Sequence, residues 1–214
     1  MQDRTSLNAV HNGDFRTDLS PPKSRTRKAR IPLLPRRPSA TPGPWPVSVG
    51  VPFPRSALGS DAEIRLLGKG RAEIPSQART LARWEDGSVR WALLDFQGDG
   101  QDTCTVEYGS EVSRTQPDDP LDVVQSRTGI AVTTGPICVE FPRGSAVFPG
   151  IVSHRQSDAT YRRITPDKPA PAVTLVAGNG TAYHASKPDA VVLEESGSER
   201  TCVRIEMTHR SRGK

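Results

Sequence analysis

Arg83, Trp84 and Arg90 fall within one short stretch, ARTLARWEDGSVRWALLDF (78–96), and their types suit an anionic ligand with a flat face. A guanidinium grips a carboxylate through two parallel N–H donors, and an indole offers an amphipathic ring face. Asp86-Gly87, set between two alternating segments, meets the positive-φ demand of a tight hairpin turn. With these two as the loop residues, Glu85 faces Ser88, Trp84 faces Val89, Arg83 faces Arg90 and Ala82 faces Trp91. The arginines then oppose each other, an unfavourable pair unless an acid or a bound anion lies between them. Ala82, Trp84, Val89, Trp91 and Leu93 share the other face, and a chain with so few aromatics needs Trp45, Trp84 and Trp91 in its core.

Other chemistry finds little support. Glu194-Glu195 is a carboxylate pair, but adjacent strand residues point to opposite faces and cannot flank one bond. His184 and His209 are candidate bases in the second half, yet neither has an acidic or basic cluster beside it, so both read as surface histidines. The three cysteines, Cys104, Cys138 and Cys202, make no CxxC pair, and the four histidines lie far apart, so no metal site is expected. Gly178-Asn179-Gly180 reads as a tight turn. No Walker loop, GxSxG elbow or GxGxxG fingerprint is present, so no catalytic residues and no cofactor are assigned.

The elements that carry these residues are strands. From Trp45 onward, short apolar runs alternate with Gly, Pro, Asp and Ser at roughly 8 to 12 residue intervals, the pattern of an all-β sandwich or barrel. Expected strands are 46–53, 63–67, 77–84, 88–96, 103–108, 130–134, 137–141, 172–177, 191–194 and 201–209. The last alternates most clearly, with Val203, Ile205 and Met207 on one face and Arg204, Glu206 and Thr208 on the other. SRTQPDDPLD (113–122) reads as a linker between two domains.

The chain has 214 residues, 34% of them hydrophobic, and carries a net charge of +5. Nine of its 29 basic and three of its 24 acidic residues fall within 1–44, leaving 20 against 21 in the remainder. The excess therefore belongs to a Pro-rich basic tail, residues 1–43, which is expected to be disordered. Nucleic-acid binding through that tail is one reading, weakened by the absence of interleaved aromatics. No apolar stretch is long enough for a membrane span and no secretory signal is visible, so a membrane partner is not expected and the location reads as cytoplasmic.

PWPVSVGVPFPRSAL (44–58), AEIRLLGKGRAEIPSQARTLARWEDGSVRWALLDFQGD (62–99) and EESGSERTCVRIEMTH (194–209) resemble the exo-rhamnogalacturonan lyase family, with its YetA-like bacterial relatives. The resemblance implies a six-stranded RIFT-type barrel, here 44–115, and the start of a central β-sandwich, here 125–214. It also implies a following α/α toroid, absent here, in which catalysis would reside. The implied activity of the family is β-elimination of the pectin backbone. The chain by itself is then expected to be an inactive fragment that supports or orients the missing catalytic domain. The expected partner is a polysaccharide or uronic-acid oligosaccharide, touched through Arg83, Trp84 and Arg90. A free-standing carbohydrate-binding module is the alternative.

Overall fold

The computed structural model describes residues 22–34, 44–98, 103–115, 121–145, 150–166 and 173–211. Among them the chain is all-β: fifteen strands and two single turns of 3-10 helix, at Asp61–Glu63 and Lys69–Arg71. No helix among the described residues is long and apolar enough to cross a membrane.

The first seven strands build a barrel from two antiparallel sheets. One has the order β1 (Ala29–Leu33), β7 (Cys104–Tyr108), β3 (Ile64–Leu67), β4 (Glu73–Ile74). The other has the order β2 (Trp45–Pro52), β6 (Val89–Gly98), β5 (Ser76–Arg83). Six strands are of ordinary length and the seventh, β4, is a two-residue addition. Period-2 alternation drives the closure: Ile64 and Leu66, Ala92, Leu94 and Phe96, and Val106 and Tyr108 all turn into one core. Phe53 meets Tyr108 edge to face, with centroids 4.9 Å apart. Each fully buried aliphatic side chain contributes about 1.5–3 kcal/mol.

The barrel begins earlier than the sequence pattern indicated. Residues 29–33 lie within the span expected to be a disordered tail, yet they form strand β1, paired from Ala29↔Tyr108 to Leu33↔Cys104. The reason is local: Ala29, Ile31 and Leu33 alternate onto the core, while Arg30 turns outward to Glu107. Pro32, which has no N–H to give, is tolerated because β1 is an edge strand. Of the rest of the expected tail, 1–21 and 35–43 lie outside the described residues, while the lead-in 22–28 and Leu34 are described.

The second region is a pair of layers. A five-stranded antiparallel meander runs β12 (Tyr161–Arg163), β11 (Ile151–Arg155), β10 (Ile137–Pro142), β9 (Gly129–Thr133), β8 (Asp122–Gln125). Opposite it stand β13 (Thr174–Val176), β14 (Ala182–Ser196) and β15 (Thr201–Ser211), the last two forming a long bulged hairpin. Ile130, Val132 and Val191 are buried between the layers, with Val123, Phe141, Leu193, Val203 and Ile205 packed around them. The inward alternation of Val203 and Ile205 is as the sequence indicated. The 178–180 turn also forms, with Gly180 at φ +81° and the Asn179 side chain accepting from Thr181 N at 3.0 Å.

Candidate functional site

The β5–β6 hairpin brings Arg83, Trp84 and Arg90 together at one tip, by a different register from the one expected. Three residues, not two, form the loop: Trp84 N donates to Ser88 O at 2.8 Å and Gly87 N donates to Trp84 O at 2.9 Å. Gly87, at φ +79°, supplies the left-handed residue of this three-residue loop. Asp86 braces it, accepting from Ser88 N at 3.0 Å, from the Ser88 hydroxyl at 2.5 Å and from the Ser56 hydroxyl at 2.7 Å. The Ser88 and Ser56 hydroxyls, in that order, lower the Asp86 pKa to about 2.

Beyond the loop, Ala82 does face Trp91, but Arg83 faces Val89, and β-bulges interrupt the ladder on both sides of Ala82. A bulge inserts one unpaired residue and so inverts which side chains face inward. The opposed Arg83–Arg90 pair therefore does not form. Arg83 Nη1 donates to the carbonyls of Gly87 at 2.8 Å and Gly59 at 3.1 Å, stitching the turn to the preceding loop. Arg90 lays its guanidinium over the Trp84 ring, 4.8 Å from the centroid, and the Trp84 indole N–H is taken by Phe53 O at 3.0 Å.

The same inversion corrects the core assignment of the tryptophans. Val89, Ala92, Leu94 and Phe96 are the inward residues of β6, while Trp91 is 40% exposed, Trp45 37% exposed and Trp84 half-buried. Trp91 lies on the outer face of the β2–β6–β5 sheet, its indole against Gly50. A Cβ at Gly50 would sit 2.3 Å from the indole Nε1, so only glycine leaves room for the ring. The residues that alternate with it on this face are Leu93, Asp95 and Gln97 of β6. Leu81, 46% exposed, stands on the neighbouring strand at the bulge.

Further along the same face, the tip of the β14–β15 hairpin docks onto the barrel. Gln77 makes three bonds there: its Nε2 donates to Glu195 Oε1 at 2.9 Å, and its Oε1 accepts from the backbone N–H groups of Glu199 and Arg200 at 3.1 and 3.0 Å. Gly197 lies directly on the Gln77 amide, where a Cβ would come within 2.0 Å of Oε1. Arg79 Nε stands 3.3 Å from Glu195 Oε1, and Arg200 Nη1 stands 3.5 Å from Asp95 Oδ1. The Ser48 hydroxyl also donates to Asp95 Oδ1, whereas Asp95 Oδ2 is buried without a partner among the described residues. Beside this lock lies a crevice of about 550 Å³, lined by Gln97, Val132, Thr134, Glu199, Arg200 and Thr201. Burial raises the Glu199 pKa.

The remaining candidates are dispersed. Glu194 pairs with Arg204 at 2.6 Å while Glu195 faces the barrel, so the two carboxylates, set at a bulge of β14, have separate partners. His184 stands beside the Thr174 hydroxyl at 3.3 Å. His209, expected at the surface, instead has Nε2 buried without a partner among the described residues. Among the described residues no group of three or more His, Cys, Asp or Glu side chains could hold a metal ion.

The site residues that local patterning missed are Gln77, Arg79, Asp95, Glu195 and Arg200, whose partners lie more than a hundred residues away along the chain. For Trp91 a signal existed, the glycine in VGVPF, which reports a side chain crossing the strand.

The family model described as the PcRGLX-like N-terminal RIFT barrel domain matches residues 29–108. Its limits coincide with the first residue of β1 and the last of β7, so the matched unit is the whole seven-strand barrel. No curated protein matches the chain.

Proposed function

We propose that the barrel is a non-catalytic accessory domain of a rhamnogalacturonan lyase-like protein, supporting and orienting the β layers that follow it. One observation carries this reading. The barrel spends its outer sheet face on holding another part of the chain, through Gln77, Asp95 and Arg79, and its clustered polar side chains are engaged in hydrogen bonds and ion pairs that build structure. A support domain needs such a fixed junction, whereas uronide elimination needs a base and a group that neutralises the substrate carboxylate, both open to the substrate. Incubation of the chain with rhamnogalacturonan oligosaccharides is expected to give no rise in the ultraviolet absorbance of the unsaturated product, with or without Ca²⁺. A rise above the enzyme-free control would place catalysis within these 214 residues and overturn the proposal.

A second reading, a carbohydrate-binding surface, is favoured by Trp91. An indole seated against Gly50 and 40% exposed offers apolar surface of the kind that the C–H face of a pyranose ring takes, and the exposed Leu81 lies on the neighbouring strand. Saturable quenching of tryptophan fluorescence by the same oligosaccharides, lost in Trp91→Ala with an unchanged circular dichroism spectrum, is the expected result. Quenching that persists in Trp91→Ala would remove this surface from consideration.

A further inference from the structure

We infer that strand β15 is a self-complementary edge that pairs antiparallel with β15 of a second copy of this chain. Among the described residues β15 has a partner on one side only, β14, which leaves the outward N–H and C=O groups of an eleven-residue strand as a template for another strand.

Its sequence selects the partner. In a pairing related by a two-fold axis normal to the sheet, residues directly opposite lie on the same face, and the residue at the axis faces its own copy. An axis at Arg204 opposes two arginines, one at Glu206 opposes two glutamates, and one at Met207 sets Arg204 against Arg210. An axis at Thr208 sets Glu206 against Arg210 but overlaps only residues 205–211 and puts Ile205 opposite Ser211, whereas an axis at Ile205 sets Arg204 against Glu206 twice, Val203 against Met207 twice and Ile205 against Ile205, with Thr201 opposite His209 at the ends. Within one chain Arg204 already pairs with Glu194 and Glu206, so this register adds the copy's Glu206 to a charge cluster that exists on the outer face of β15. Opposite charges directly across a strand pair favour the register and like charges oppose it. The apolar residues of this register fall on the inward face, where Val203 and Ile205 already cover the small core between the layers. That core sits under an unequal pair, five strands against three, and a second β14–β15 hairpin would widen the narrower layer. One strand pair is a small interface, so the association is weak and depends on concentration.

The register makes a covalent test available. Cys202 of one copy lies opposite Thr208 of the other, and directly opposed residues stand roughly 4.5–5.5 Å apart, within disulfide range. In Thr208→Cys, mild oxidation is expected to give a covalent dimer through Cys202, and in Thr208→Cys with Cys202→Ser it is expected to give none, which sets aside Cys104 and Cys138. In parallel, sedimentation of the unmodified chain is expected to show the average mass rising toward twofold with concentration. Arg204→Glu should abolish that rise, and Arg204→Glu with Glu206→Arg should restore it. A chain that stays monomeric at all concentrations would overturn the inference. A dimer that forms without the Cys202 cross-link would overturn the Ile205-centred pairing.

Discussion

The barrel and the layers after it use the same material, short antiparallel strands with period-2 alternation, and reach different degrees of closure. Among the described residues, thirteen apolar residues are buried in the barrel core, whereas three are buried between the layers. In the barrel, two curved sheets turn nearly every inward position onto a neighbour. In the second region the five-stranded meander outspans its partner layer, and Val124, Leu175 and Val176 remain exposed. Closure of the surface, more than strand content, sets how much apolar area each residue withdraws from water. The barrel is therefore the stable unit, and the second region relies on it through the Gln77 lock.

The strongest test of this asymmetry compares two core truncations. Leu94→Ala empties a fully buried barrel position and is expected to cost about 3 kcal/mol. Val191→Ala removes two methyl-sized groups from the smaller core and is expected to cost roughly 1.5 kcal/mol, at ~0.8 kcal/mol per buried methylene. Limited proteolysis of the unmodified chain should cut within 122–211 first and leave a barrel fragment. Early cleavage within 44–98, with the second region intact, would reverse the order.

The junction supplies the next largest effect. Gln77→Ala removes one hydrogen bond to Glu195 and leaves the Glu199 and Arg200 N–H groups without their acceptor, a loss of about 2 kcal/mol. In calorimetry this should split the unfolding into two transitions, with the second region melting first. A thermogram of unchanged shape would show that the regions are coupled elsewhere.

The legible part of the fold was the part with clean alternation. The strand signals at 64–67, 89–98, 104–108 and 201–211 stand in the residue pattern. Strand β1 was masked by its neighbourhood: five alternating residues are embedded among cations and prolines, and only Glu107, 77 residues on, reveals why Arg30 can lie there. The Asp86-Gly87 turn was legible, but the bulges around Ala82 were not, and one unpaired residue was enough to move Trp91 from core to surface. The hairpin tip could therefore be located from its residues, whereas the faces they present could not. The Gln77 lock had no local trace at all, because its backbone donors belong to a turn formed by a distant hairpin.

The smallest expected effects are those of pH, and they should differ in sign between the regions. Glu107 is 1% exposed and lies between Arg30 on β1 and Arg65 on β3, directly opposite on both sides. Burial alone would raise its pKa, but hydrogen bonds from Arg65 and Arg30 outweigh that and hold it below the ordinary glutamate value. A lowered folded-state pKa contributes stability that is present above the unfolded value, about 4.3, and is lost as pH falls through the folded one. Glu199 at the junction is the opposite case, since burial raises its pKa. Its protonated form suits the folded state, so it takes stability away as pH climbs from about 4.3 through the raised value. Acidification below pH 4 should thus weaken the barrel, and Glu107→Gln should flatten that response. Raising the pH above 5 should loosen the junction slightly, and Glu199→Gln should remove the loosening while leaving the barrel's acid response intact. Thermal melts of the three proteins from pH 3 to 8 separate these contributions, and a common pH profile for all three would mean that neither carboxyl distinguishes the two regions.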